Sequence, residues 1–460
     1  MAAPFAQEML SQAEKETAVT KEAGRPGRRF STHVAWTMAA RLLMTANSVA
    51  AGVVVARRLG AEGLGVLAVL NVAVALALQI GSAGLPSANT YFIARDRRHL
   101  SPASINALVF ALAAGGALAL GITALAKLRP ELFGYIPWGL VAIASASIPF
   151  QLITLLGLNL FLGLNRIGRF NVLDAAAQLF TLVNALVALV LLGRGLRVLV
   201  ALNTAAAIVV SLLIVWMMGR MLREQEDDRM SFRPDFGLFK RMGRYGIKIH
   251  IALVVAMLIF RADLMIVNHF RGAAEAGVYA VASQVAMMLM LLPGVIGTLL
   301  MPRVTSEGDG RGEFTMRATR HTAFVMMFIC LLAAPASLLL PLLYGAPFRD
   351  AAAQLLILLP GVYLVGIEAV LVQHFNSTGL PVAIPVFWLV TLVVNVALNL
   401  ALVPTWGARG AALASTVSYT LIFVLVASLF RMRTGNRLSA TLVLRGHELR
   451  DLLAMARAAR

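Results

Sequence analysis

Along this chain, long apolar stretches alternate with short polar breaks. Most of the stretches reach the 18 or so residues that a helix needs to cross about 30 Å of hydrocarbon. Twelve spans are predicted, at about 33–57, 64–93, 102–126, 137–164, 170–192 and 196–222, and again at about 246–270, 277–303, 318–344, 351–375, 381–403 and 408–433. The most polar internal piece, 223–245, separates the two sets of six. It begins acidic, with Glu224, Glu226, Asp227 and Asp228, and turns basic, with Arg233, Lys240, Arg241 and Arg244. Its end, 236–245, reads as a short basic amphipathic helix on the membrane surface. Polar tails, 1–32 and 434–460, flank the two bundles, 33–222 and 246–433. The ten-residue alternation of a membrane β-barrel is absent.

The second set of six repeats the first. The turn Gly60-Ala61-Glu62-Gly63-Leu64-Gly65 returns 212 residues later as Gly272 to Gly277. Asn184 and Asn395, 211 residues apart, each precede an apolar run that ends in a glycine turn, at Gly193 and Gly407. Two matches at nearly one offset predict duplication of a six-helix unit. An even number of crossings per unit makes the repeats parallel, and transporters built this way bind substrate between their halves and rock around it. The expected fold is all-α and integral to the membrane, with twelve transmembrane helices in two parallel-repeat six-helix bundles around a central cavity.

Composition supports the class, and charge sets the topology. The 460 residues are 59% hydrophobic and 13% charged, with mean hydropathy +0.81. The net charge of +18 would suggest nucleic acid in a soluble chain, but no groove-reading or base-stacking element accompanies it. Basic residues on cytoplasmic loops, facing anionic lipid headgroups, account for it. With both termini in the cytoplasm, most of the 40 Lys and Arg fall inside, among them Arg95, Arg97, Arg98, Arg311, Arg317 and Arg320. Arg57 and Arg58 run against this rule. Residues 1–30 contain no apolar signal-peptide core, and the single Cys330, within an apolar span, reads as packing.

A charge at membrane depth costs at least about 2.5–3.5 kcal/mol, so such residues are usually functional or paired. The first span carries Thr37, Arg41, Thr45 and Ser48 on one face. Arg41 lies roughly 12 Å deep at 1.5 Å per residue. On 246–270, His250, Arg261 and Asn268 share a face, while Asp263 points nearly opposite and needs a partner on another helix or among the outer headgroups. Asn171, Asp174, Gln178 and Thr181 share a face of 170–192; Thr391, Asn395 and Asn399 lie on 381–403; Glu368 and His374 lie near the cytoplasmic end of 351–375.

These groups have two readings. In one, a hydrated cavity presents Arg41 and Arg261 as forked donors to an anion, phosphate above all. In the other, Asn, Thr and Gln glue helices together and Arg41 pairs with Asp174 or Asp263. The Asn and Thr residues fit the second reading better, and the arginines the first. The expected substrate-binding set is Arg41, Arg261, Thr37, Thr45, Ser48 and Asn268. Asp174, Asp263 and Glu368 are the weaker candidates for ion coupling. The histidines read as hydrogen-bonded, and no metal site is expected. No nucleotide loop, HExxH, CxxC or GxSxG motif occurs, and the external loops are too short for a catalytic domain. Neither an enzyme nor an ATP-driven pump is expected. No cofactor is implied, and a proton or sodium gradient is the candidate energy source.

Several of these residues carry a family resemblance. The run Ala56-Arg57-Arg58-Leu59-Gly60-Ala61-Glu62-Gly63-Leu64-Gly65 resembles the AR-LG-x-x-x-x-G signature that closes the first helix of polysaccharide-biosynthesis flippases. These are the Wzx-like branch of the multidrug/oligosaccharidyl-lipid/polysaccharide exporter superfamily. Arg261-Ala262-Asp263 followed by Gly277-Val278-Tyr279-Ala280-Val281-Ala282 resembles its R-x-D…GxYxxA pattern. Gly163-Leu164-Asn165-Arg166 resembles its GLNR turn, and Pro404, Gly407, Gly410, Ala411 and Ala412 its entry to the last helix. The resemblance covers about residues 33–433.

The resemblance implies a bacterial cytoplasmic-membrane protein that moves polyprenyl-diphosphate-linked oligosaccharide from the inner to the outer leaflet by alternating access. It further implies a monomer working beside polysaccharide polymerase machinery, with membrane lipids as the other partner and no nucleic acid. A cation-coupled drug or metabolite antiporter and a peptidoglycan-precursor lipid flippase are the alternatives. The first usually shows acidic cavity residues and the second usually has fourteen helices. Here the cavity candidates are mainly arginines and the spans number twelve.

Overall fold

A computed structural model describes residues 26–223, 234–307, 309, 312–378 and 381–436. Residues 1–25, the acidic half of the linker and the basic tail from 437 lie outside the described residues, as does the side chain of Thr37. The helices are α1 (Pro26–Gly81), α2 (Leu85–Arg95), α3 (Leu100–Leu128), α4 (Trp138–Ser145), α5 (Ile148–Gly163), α6 (Ile167–Leu186), α7 (Leu196–Arg223), α8 (Phe236–Arg271), α9 (Ala273–Leu289), α10 (Leu291–Glu307), α11 (Glu313–Ala336), α12 (Leu340–Tyr344), α13 (Arg349–Thr378) and α14 (Ala383–Thr434). No strand occurs among the described residues. The chain divides into two compact units, Met1–Ala46 and Asn47–Arg460. In the first, Arg41 is exposed and its carbonyl accepts a 2.8 Å hydrogen bond from Thr45 Oγ1. The geometry described below is that of the second.

Ten helical stretches among the described residues are long and apolar enough to cross a membrane. Two of them, Arg41–Gly81 and Ala383–Thr434, are broken near their middles, at Gly60 and Gly407. Each therefore crosses twice, which gives the twelve expected spans. The breaks need glycine because φ is positive there. Gly60 has φ 69° and ψ −170°, and its repeat partner Gly272 has φ 84° and ψ 172°. Gly193 and Gly407 both have φ 58°. The duplication read from glycine spacing thus reappears as matched backbone geometry.

Other boundaries depart from the apolar pattern where proline intervenes. The stretch 137–164 is two helices, because Pro149 suits the first turn of α5 but cannot continue α4. The eighth span breaks at Met290, ahead of Pro293, into α9 and α10. The basic piece 236–245 is the start of α8 rather than a separate surface helix. Asp235 caps it, accepting from Leu238 N at 2.9 Å.

Gly407 is doubly constrained. A Cβ there would lie 1.9 Å from Oε1 of Glu275, which accepts the Ala408 N–H at 2.7 Å and so caps the last arm of α14. Gly407→Ala is expected to destabilise the purified protein by about 1–3 kcal/mol, read as a lower thermal midpoint. Gly219→Ala, where an added Cβ meets open space within α7, should leave the midpoint in place.

The halves touch near both faces. On the face that bears Gly60 and Gly272, here the turn face, the two repeated turns pack glycine to glycine. A Cβ on Gly65 would lie 1.7 Å from the Ala273 carbonyl oxygen, and one on Gly277 2.0 Å from that of Ala61. Arg57 also crosses here, donating from Nε to Leu343 O at 2.8 Å and from a second nitrogen to Leu342 O. Arg57 is one of the two arginines that the expected topology left on the outer side, and its guanidinium caps the C-terminal carbonyls of α12. On the opposite face, which bears the linker ends, Gly84 and Gly246 meet backbone to backbone. Asn106 exchanges two hydrogen bonds with the Asp235 backbone, at 2.8 and 3.1 Å, and Tyr91 stacks on Tyr245 at 4.5 Å.

Candidate functional site

The polar residues of the two halves end in different surroundings. In the first half, helices α1 and α4 to α7 enclose a cavity of about 530 Å³. Of the residues singled out in the sequence, Ser48, Asp174, Gln178, Thr181 and Asn184 line it. Asn71, Gln151, Thr154, Asn203 and Thr204 join them and were not anticipated. They are scattered polar positions in apolar spans, and spacing alone gives no sign that they converge. Asn184 is tied to Asn203 Oδ1 at 2.9 Å across α6 and α7. Ser48 accepts from Gln284 Nε2 of the other half at 3.0 Å. The wall thus mixes apolar side chains such as Leu70, Val74 and Phe180 with amides and hydroxyls, and carries one carboxylate, Asp174, half-buried.

The corresponding polar residues of the second half are packed away from solvent. Thr391, Asn395, Asn399, Ser415 and Ser418 are all 0% exposed. Asn395 donates to Ser418 Oγ at 3.1 Å, repeating the Asn184–Asn203 clasp. Asp263, 1% exposed, accepts from Tyr279 Oη at 2.5 Å, from Ser415 Oγ at 3.0 Å and from Leu264 N at 2.7 Å. Its side-chain partners are therefore on other helices, α9 and α14, and not among headgroups. The aspartate and tyrosine of the R-x-D…GxYxxA resemblance turn out to bond each other.

The rest of the predicted set is dispersed. Arg261 is half-buried and makes no hydrogen bond or ion pair among the described residues, although its charge reaches Asp263. Asn268 does not face the first-half cavity. It is fully buried against Gly134, and neither its Oδ1 nor its Nδ2 has a partner among the described residues. Glu368 is 2% exposed with Oε1 unpartnered among the described residues. His250 is buried, with Nε2 3.3 Å from Ile80 O, and His374 lies 3.8 Å from Asp309. Among the described residues no group of three His, Cys, Asp or Glu could hold a metal.

The family model described as "Polysaccharide biosynthesis protein" matches residues 54–353, well over half of the chain. The chain belongs to this polysaccharide biosynthesis protein family. The Wzx-like resemblance of its motifs agrees with that membership. No curated protein sequence matches it. Among solved structures it is similar to an inward-facing multidrug resistance MATE family transporter of the MOP superfamily, at 17% identity and TM-score 0.69, over 85% of this chain and 94% of that one. It is also similar to the lipid II flippase MurJ in an inward closed conformation, at 14% identity and TM-score 0.70, over 85% of this chain and 87% of that one. An outward-facing MATE transporter aligns at 15% identity and TM-score 0.55, over 87% of this chain and 94% of that one. At these identities the likeness is one of fold. The polysaccharide biosynthesis chain shares the two-lobed architecture of these transporter and flippase structures.

Proposed function

We propose that this family member flips a polyprenyl-diphosphate-linked oligosaccharide from the inner to the outer leaflet of the bacterial cytoplasmic membrane, with both termini cytoplasmic. The observation that carries the reading is the amide- and hydroxyl-lined cavity at membrane depth in the first half. Sugar hydroxyls both donate and accept, as do Asn, Gln, Ser and Thr. The amides and hydroxyls in this wall give a saccharide partners that a lipophilic drug would not use. The lipid tail stays in the bilayer. Arg41 and Arg261 supply the positive charge that would draw in the diphosphate, because guanidinium binds phosphate bidentately and stays charged.

Transport would proceed by alternating access, in which one of the two contacts between the halves opens while the other holds. Of the three carboxylates considered for coupling, Asp174 lines the cavity, whereas Asp263 and Glu368 are almost fully buried. Coupling to a proton or sodium gradient is therefore assigned to Asp174.

The test is flipping of defined lipid-linked oligosaccharides by purified protein in liposomes, with and without ion gradients. Arg261→Ala is expected to slow flipping by about tenfold to a hundredfold, the scale on which a lost charge-assisted contact registers, with normal membrane insertion. Wild-type flipping by both Arg41→Ala and Arg261→Ala would remove the arginines from the mechanism. Failure of the wild-type protein to flip any diphosphate-linked lipid, with cation-dependent drug exchange instead, would favour the antiporter reading.

A further inference from the structure

The loop between α3 and α4, 129–137, belongs to the first half and closes over the end of α8 in the second, on the turn face. Part of this contact is well made. Phe133 and Ile136, each 4% exposed, turn into the core, and His269 Nδ1 donates to the Glu131 carbonyl oxygen at 2.6 Å. Two other features of the same contact are unfavourable. Gly134 sits directly on the Asn268 amide, where a Cβ would lie 2.5 Å from Nδ2. Asn268 is 0% exposed, so no water fits against it, and neither Oδ1 nor Nδ2 bonds anything among the described residues. An asparagine that glued helices together would bond at least one group across the contact. A buried amide without partners instead opposes its own burial. The second feature is in the backbone. Gly134 and Tyr135 both take positive φ, 59° and 62°. Glycine does so freely, but tyrosine is strained there. Tyr135 is 75% exposed, so the packing of its ring does not impose the conformation.

We propose that this loop is a sprung latch between the halves. Both costs are borne only while the loop is closed on α8, and they hold the contact near the point of opening. When the loop lifts, the Asn268 amide reaches water and Tyr135 is released to relax. Burial of Phe133 and Ile136 and the His269 bond then draw the loop back. Asn268 is thus a positioning residue of the turn-face contact. The latch follows from this geometry alone. Its place in transport rests on the flippase reading, in which the turn face must open to release substrate.

The experiment uses the full-length protein in lipid nanodiscs, with opening read as hydrogen–deuterium exchange over residues 129–137. Asn268→Leu keeps the number of side-chain heavy atoms and removes the orphaned amide. It is expected to slow exchange by about tenfold and to raise the thermal midpoint. An asparagine that merely held the structure together would do the reverse on both counts. Tyr135→Asn places on the surface a residue that tolerates positive φ, so it keeps the fold and should slow exchange by about threefold. His269→Ala removes the favourable bond and should quicken exchange. Flipping by Asn268→Leu should fall by about tenfold, because the contact stays shut. Unchanged or faster exchange in both Asn268→Leu and Tyr135→Asn would overturn the latch, and slowed exchange with wild-type flipping would overturn its role in transport. Were the wild-type protein to flip no lipid at all, exchange and the thermal midpoint would still decide the latch, so the two readings fail separately.

Discussion

Gly65→Leu is expected to abolish transport while leaving the protein folded and inserted. Space at this position is set by the other half. A Cβ would meet the Ala273 carbonyl oxygen at 1.7 Å and Gly277 N at 2.8 Å, and a leucine adds three more carbons in the same direction. Neither neighbour is the tip of a flexible side chain, so the turn-face contact cannot re-form around it. Gly84→Leu acts at the opposite contact, where the Gly246 carbonyl oxygen lies 2.3 Å from the added Cβ. Transport by alternation needs each contact to close in turn, so either variant stalls the cycle, in opposite states. The states can be told apart in a Cys330→Ser background carrying Gln284→Cys, on the bonded contact with Ser48. An impermeant maleimide should label that cysteine faster in the Gly65 variant and not in the Gly84 variant. Wild-type flipping by both leucine variants would show that these contacts are static.

Asp263→Leu should give the largest loss of stability of any single substitution in the second half. It removes the acceptor that Tyr279 and Ser415 share and leaves two buried hydroxyls without the carboxylate that receives both. Each orphaned donor costs about 1–3 kcal/mol, and polar contacts within membranes fall toward the low end of such ranges. A total of about 2–4 kcal/mol is expected, read as lost thermal resistance in detergent. Asp263→Asn keeps one side-chain oxygen for these donors and should lose about half as much. Equal losses for the two variants would show that the negative charge, not acceptance, is what the site needs.

The twelve spans could be read from the sequence because length and apolarity alone specify a crossing helix, and the duplication because Gly60 and Gly272 must both take a conformation that few other residues tolerate. Asn184 and Asn395 marked real equivalents: each bonds the following span of its own half. The position of the cavity was not legible. Asp174, Gln178 and Thr181 show the same spacing whether they line a space or glue two helices. Which of these they do depends on whether Gln151 and Asn203, far away in sequence, stand back or close in. The partners of Asp263 were equally hidden, since Ser415 lies 152 residues further on. Spacing along one helix says which way a side chain points and nothing about what waits there.

Around Asn395 the second copy of the repeat is packed, whereas around Asn184 the first opens on a cavity. The solid copy, clasped through Asp263, Tyr279 and Ser415, can serve as the fulcrum against which its sibling swings. On the proposed flippase reading, the cavity-lining residues of the first copy could change with the substrate while the packed cluster of the second stayed as it is.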